Sequence, residues 1–222
     1  MNDQQKYIYV IFSATPYRMG SLIRSVTGEP YNHVSIATEE NLSCIYSFAR
    51  RFYRTPFYGG FVREHPSRYT HNGTTADIRI YRLPVPERRW KKLNLQLKEM
   101  QENAKHYLYN HLSVLAAPLH KKVMVEDAYT CAEFVVCTLS NLGFDFDPER
   151  FYSIGQIAEP LEPYHIYTGK FPTNAPQDPV FFQRQPVSHP LLTSAKELMH
   201  LCWRLAVSNF LHTRVRRGDI IR

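Results

Sequence analysis

Hydrophobic positions along this chain follow two periods, and the switches between them predict the elements. Residues 7–12 are an unbroken aromatic and β-branched run, which reads as a buried central strand. Residues 13–16 end it. Residues 17–26 can form a short helix, stopped by Gly28 and Pro30. Residues 33–38 read as a second strand, with His33, Ser35 and Ala37 on one face and Val34 and Ile36 on the other. Beyond the imidazole the first face is small, so a helix is expected to pack closely against it. Residues 44–49 and 77–83 read as further strands. The stretch between them, 50–75, carries Gly59-Gly60 and His71-Asn72-Gly73 and reads as an aromatic, basic loop.

The second half is mainly helical in pattern. Trp90, Leu93, Leu97, Met100, Ala104 and Tyr107 recur at steps of three and four, predicting one amphipathic helix over 86–109. Residues 110–127 read as a connector. Residues 130–142 read as a shorter helix closed by Gly143. A turn is expected at 151–158 and a late strand or hairpin at 164–171. Pro172, Pro176, Pro179, Pro186 and Pro190 mark a linker or clamp. The last predicted helix, 191–210, presents Leu192, Ala195, Leu198, Met199, Cys202, Leu205 and Ala206 as its apolar stripe. The basic residues Arg214, Arg216, Arg217 and Arg222 follow it. Two parts result: a compact α+β domain over 1–171, and an appendage over 172–222. The domain is expected to be an antiparallel-rich sheet packed against helices.

Composition narrows the class. At 44% hydrophobic and 21% charged residues the chain reads as globular rather than disordered. The net charge of +7 favours anionic partners, but it is spread along the chain rather than gathered in a block. The N-terminal apolar run is short for a signal peptide and no stretch is long enough to span a membrane, so a cytoplasmic location is expected. Cys44, Cys131, Cys137 and Cys202 form no CxxC pair and no zinc-spaced cluster, so free thiols, no metal and no cofactor are expected.

The chemistry concentrates in Ala128-Tyr129-Thr130-Cys131-Ala132-Glu133-Phe134-Val135. Thr130 and Glu133 form a T-x-x-E capping box, which puts Cys131 at the first helical position. Unpaired N–H groups and the positive end of the helix dipole then face its sulfur and favour the thiolate. Cys137 and Cys202 lie within apolar helical stripes and read as structural, as does Cys44 at a strand start. Among the histidines, His33 opens a strand directly after a turn and can stand beside a helix N-terminus, the frame a Cys–His dyad needs. His65, His71 and His106 lack that frame.

Asn32-His33-Val34-Ser35-Ile36, Tyr46-Ser47-Phe48-Ala49-Arg50, Gly59-Gly60-Phe61-Val62 and Thr130-Cys131-Ala132-Glu133-Phe134-Val135 together resemble the circularly permuted papain-like cysteine hydrolases of the NlpC superfamily. The resemblance covers about residues 7–160. It implies a permuted papain-like fold, in which the histidine strand precedes the cysteine helix. It further implies a cysteine peptidase or amidase that cleaves a small peptide or cell-wall-type amide through a thioester on Cys131, with His33 as base and then acid. Relatives orient the histidine with a third polar residue. Ser47 or, from the loop, Glu64 is the candidate here. A lipid acyltransferase or phospholipase of the same architecture is the alternative, with the C-terminal helix on an anionic membrane surface. A non-enzymatic nucleic-acid-binding protein, built on Arg50, Arg51, Arg54, Arg63, Arg68, Arg79 and Arg82, is the third reading. Nucleic acid is the disfavoured partner, because no recognisable binding module is present.

Overall fold

The computed structural model describes residues 4–172, 177–182 and 189–210, with side chains up to 207. The elements run β1 (Gln5–Ala14), α1 (Arg18–Thr27), β2 (His33–Ala37), β3 (Ile45–Arg50), β4 (Gly59–Glu64), β5 (Thr70–His71), β6 (Thr74–Thr75), β7 (Asp77–Pro86), α2 (Glu87–Glu102), β8 (Leu108–Tyr109), α3 (His111–Ala116), β9 (Ala128–Tyr129), α4 (Cys131–Asn141), α5 (Ile154–Ala158), β10 (His165–Lys170) and α6 (Pro190–Phe210). Six strands form one sheet in the order β10-β7-β1-β2-β3-β4, and every neighbouring pair is antiparallel. The apolar run of β1 lies at its centre, where both faces are covered and burial is complete from Ile8 to Phe12 but for a sliver of Tyr9. The molecule is therefore α+β with an antiparallel sheet.

The two faces of the sheet do different jobs. On one, Val10, Phe12, Val34, Ile36, Phe48 and Phe61 pack against Leu93, Leu97 and Met100 of α2 and Phe134, Val135 and Leu139 of α4. On the other, Tyr9, Ile11, Ala37 and Ile45 pack with Tyr69, Ile78 and Phe171. The helix carrying Cys131 thus lies on the Val34/Ile36 face, opposite the Ser35/Ala37 face expected to receive it. Bulk explains the difference: Val34 and Ile36 interlock with Phe134 and Val135. The space left by Ser35 is taken instead by a tyrosine, the Tyr69 hydroxyl standing 3.1 Å from Ser35 Oγ.

Residues 50–75 are also more ordered than their pattern suggests. They contain β4, which pairs in full with β3, from Ile45 opposite Glu64 to Arg50 opposite Gly59. The pattern is masked because β4 starts with two glycines. Both are needed for close approach. A Cβ on Gly60 would stand 2.1 Å from the Tyr107 carbonyl oxygen, and one on Gly59 2.9 Å from Tyr109 Cβ.

The helix predicted over 86–109 stops at Glu102. After Asn103 the chain makes a 3-10 turn over Ala104–His106 and enters β8, which pairs in parallel with β9. Ala104 and Tyr107 still reach the core cluster, so the apolar stripe continues although the helix does not. The predicted connector contains α3, whose N-terminus Asn110 caps by accepting from the Ser113 N–H at 3.1 Å.

In the appendage, Phe181 is buried and the Tyr53 N–H donates to its carbonyl at 2.8 Å. Helix α6 packs through Leu201, with Leu205, onto Leu108, Val125 and Ala128. Its buried line runs through Ser194, Leu201 and the half-buried Glu197, Leu198, Arg204 and Leu205. That is a different face from the expected stripe, and Leu192, Met199 and Cys202 are exposed. Apolar residues occur almost all round this helix, so their spacing alone does not select a face. Arg214, Arg216, Arg217 and Arg222 lie outside the described residues. Among those residues no helix is long and apolar enough to cross a membrane.

Candidate active site

Cys131 opens α4 on the capping box expected of it. Thr130 Oγ1 accepts from the Glu133 N–H at 3.1 Å, and the Thr130 N–H donates to Glu133 Oε2 at 2.8 Å. Glu133 does more than cap. It also accepts from Ser113 Oγ at 2.7 Å and Asn110 Nδ2 at 3.3 Å, which ties α4 to the segment carrying Tyr109 and His111.

His33 is the first residue of β2, paired opposite Ser13 at the end of the sheet where α4 begins. The preceding residue fixes the approach: Asn32 accepts from the Thr15 N–H at 3.0 Å and donates to Thr15 Oγ1 at 2.8 Å. Because His33 is the first residue of β2, an interior strand, its ring can turn past the strand end towards Cys131 although α4 lies on the opposite face. The Cys131 thiol feels the His33 ring and the backbone N–H groups of Val34 and Ala132, all of which favour its ionised form. Tyr109, placed by β8, brings its hydroxyl to the same sulfur.

Glu64 completes the array from the last position of β4. Its Oε1 lies 2.7 Å from His33 Nε2, with both side chains almost wholly buried. With Nε2 committed to the carboxylate, Nδ1 is the ring nitrogen left for the sulfur. Ser47, the other candidate for the third position, does not meet the imidazole. Its hydroxyl donates to the same Glu64 oxygen and so orients the residue that orients His33. Strand register accounts for this: Ser47 sits opposite Val62, two residues short of Glu64, on the same face.

The electrostatics follow from burial set against pairing. Burial works against a charged His33, but the Glu64 carboxylate and the Cys131 sulfur outweigh it and raise the imidazole to about 10. Burial likewise works against Glu64, and the His33 charge with the His33 and Ser47 hydrogen bonds brings it down to about 2. For Cys131 burial opposes the thiolate, while His33 and the two backbone N–H groups lower the thiol below its ordinary value. Burial raises Tyr109 well above its ordinary value, reinforced by the neighbouring sulfur. His33 is therefore held charged beside the Glu64 carboxylate, and its charge favours the thiolate form of Cys131 against the effect of burial.

Beside these groups lies a pocket of about 200 Å³, with His33, Glu64 and Tyr109 in its wall. Cys131 is 6% exposed and is not part of the pocket wall. The rest of the lining is largely apolar, with Met19, Ile23, Phe57 and Val114, together with Arg50, Arg68 and His111. The three histidines set aside in the sequence are engaged elsewhere. His65 caps a 3-10 turn, His71 meets the Tyr53 hydroxyl at 3.2 Å, and His106 pairs with Asp127 at 2.7 Å. The arginines of the basic stretch are largely engaged within the chain. Arg51 donates to the Ala104 and Tyr107 carbonyls, Arg79 pairs with Glu162 at 2.8 Å, and Arg82 lies 3.8 Å over the Tyr7 ring. Among the described residues no cluster of His, Cys, Asp or Glu could hold a metal ion.

Cys131 and His33, singled out from the chain alone, therefore come together. Tyr109 was missed, because helical periodicity absorbed it, and so was Arg50, which reads as one arginine among several. Comparison with protein-family models, with curated proteins and with solved structures finds no match to this chain.

Proposed function

We propose that this protein is a cysteine-nucleophile hydrolase of the permuted papain-like type, acting on an amide through a thioester at Cys131. The observation that carries the reading is the buried relay Glu64–His33–Cys131 at the capped N-terminus of α4. In this reading the Cys131 thiolate attacks the carbonyl carbon. The oxyanion that forms is met by backbone N–H groups of the helix start, Ala132 among them. The His33 imidazolium gives its proton to the departing nitrogen, leaving an acyl-thioester. His33 then takes a proton from water, the hydroxyl attacks the thioester, and the acid and the free thiolate are released. Glu64 keeps the ring oriented and stabilises its charge throughout.

The test is a thiol-reactive acylating probe on the wild type, Cys131→Ser, His33→Ala and Glu64→Gln, with the modified residue mapped by mass. Rapid acylation at Cys131, lost in the first variant and strongly slowed in the other two, is expected. Preferential modification of Cys44 or Cys202 would reject the assignment.

A second reading, acyl transfer from a lipid, is favoured by the rim of the pocket. Met19, Leu22 and Val26 on α1 and Val114, Leu115 and Leu119 around α3 are exposed, Val26 by 71% and Leu115 by 76%. Met19 and Val114 from these two groups also line the pocket. Such a mouth suits a substrate presented at a lipid surface.

A further inference from the structure

We propose that Arg50 anchors an anionic group of the substrate, a carboxylate or a phosphate, inside the cleft beside His33. The proposal rests on the thiol-hydrolase reading and narrows its substrate class.

Arg50 is the last residue of β3 and lines the same pocket as His33 and Glu64. Its guanidinium lies over two rings, 5.3 Å from the centroid of Tyr17 and 5.9 Å from that of Tyr53. Nη1 donates to the Tyr53 carbonyl at 3.1 Å, and no other acceptor for the guanidinium occurs among the described residues. Nor does any described carboxylate pair with it. The other arginine of the cleft differs, since Arg68 has Asp178 at 3.8 Å. Glu64 is no substitute partner, because its charge is matched by His33.

A half-buried cation with spare donors and no anion gains most from a ligand that brings one. A guanidinium resting against aromatic rings can still meet a carboxylate or phosphate with its fork in two parallel hydrogen bonds. Burial, which pulls Arg50 below its ordinary value, adds to that gain. The position is close to the candidate site: Arg50 lines the same pocket as His33, Glu64 and Tyr109. The apolar walls at Met19, Ile23 and Phe57 accept the remainder of the ligand. The implied substrate is an acyl compound with an apolar body and one anionic group.

The test uses the full chain and four alkylating probes: N-iodoacetyl-glycine, N-iodoacetyl-β-alanine, N-iodoacetyl-ethanolamine phosphate and the neutral N-iodoacetyl-glycinamide. Rates at Cys131 are measured by mass mapping and divided by those at the exposed Cys202. At least one anionic probe should outpace the neutral one at Cys131 by about tenfold, the worth of one charge-assisted hydrogen bond. The carboxylate and phosphate arms identify which group is preferred. In Arg50→Gln the preference should fall to about one, and in Arg50→Lys, which keeps the charge and loses the fork, it should fall severalfold. Equal rates for neutral and anionic probes in the wild type, or a preference undiminished in Arg50→Gln, overturn the role of Arg50 and leave the nucleophile standing. If melting shows Arg50→Gln unfolded, an undiminished preference in Arg50→Lys overturns it instead. A Cys131 that outpaces Cys202 with none of the probes sinks the hydrolase reading itself.

Discussion

At the scale of single residues, the site turns on which group bears charge in the resting state. The His33 charge and hydrogen bond lower the Cys131 thiol against the opposing effect of burial. Alkylation of Cys131 should therefore titrate with a midpoint below 9.0, the ordinary value. In His33→Ala that midpoint should move up, because burial then acts with only the backbone donors against it. A midpoint that stays put in His33→Ala would show that the helix terminus alone governs the thiol. Tyr109→Phe removes a hydroxyl from the same sulfur and should raise the midpoint less than His33→Ala does. Glu64 was one of two candidates before the fold was known, since the resemblance calls for a polar residue to orient the histidine and the following strand offered Ser47 and the loop Glu64. Only the register of β3 against β4 ranks them, placing a carboxylate on the imidazole and a hydroxyl one step behind.

At the scale of elements, α4 and the strands beneath it decide how well the site is held. Thr130→Ala removes one half of the capping box and should cost about 1 kcal/mol of stability while slowing alkylation of Cys131. Chemical denaturation and the alkylation rate check the two parts separately. The sidedness of β2 makes a sharper contrast. Ile36→Ala opens a cavity under α4 and should cost about 2–5 kcal/mol, with loss of Cys131 reactivity in the molecules that remain folded. Ala37→Phe overpacks the opposite layer around Tyr69 and Ile78 and should cost about 1–3 kcal/mol with reactivity retained. If Ala37→Phe proves the more damaging to reactivity, α4 is seated on the other face. Gly60→Ala should destabilise through the close Tyr107 carbonyl, shifting the melting temperature down. That β1, β2, β3 and β7 are strands was readable from apolar runs, alternation and β-branched content. The face that α4 takes was not, because small residues invite a partner without stating whether it is a helix or a tyrosine.

At the scale of the whole molecule, the buried relay ties stability to pH. His33 has its folded value raised to about 10 from 6.5, so its contribution is complete below about 6.5 and is lost as pH rises towards 10. Glu64 has its folded value lowered to about 2 from 4.5, so its contribution is complete above about 4.5 and is lost as pH falls towards 2. Both are fully present only between about 4.5 and 6.5. Melting temperature should peak in that window and decline on the alkaline side. The decline should flatten in His33→Gln, and a profile identical to the wild type would show that the pair does not contribute. The apolar rim acts at the same scale. Vesicle flotation of the full chain, compared with a Val26→Asp/Leu115→Asp double variant, tests the lipid reading. Binding that survives the double substitution removes the rim from consideration.

Local chemistry was settled by the chain itself. A Thr and a Glu three residues apart start a helix at Cys131 wherever that helix lies, because capping involves only neighbouring groups. The buried run of β1 and the strand opening at His33 are likewise properties of adjacent residues. The partners of those groups were decided only by tertiary structure. Glu64 meets His33 across 31 residues because β4 pairs with β3 and not because of any spacing. Tyr109 reaches the sulfur because two glycines let its segment cross β4 and because a helix that periodicity would extend stops at Glu102. The packed line of α6 was chosen by the surface available to it, since apolar residues on several sides of the helix leave more than one face able to pack. Short-range capping and alternation are written in consecutive residues, whereas register, sidedness and long-range pairing depend on which of several compatible surfaces meet when the chain closes.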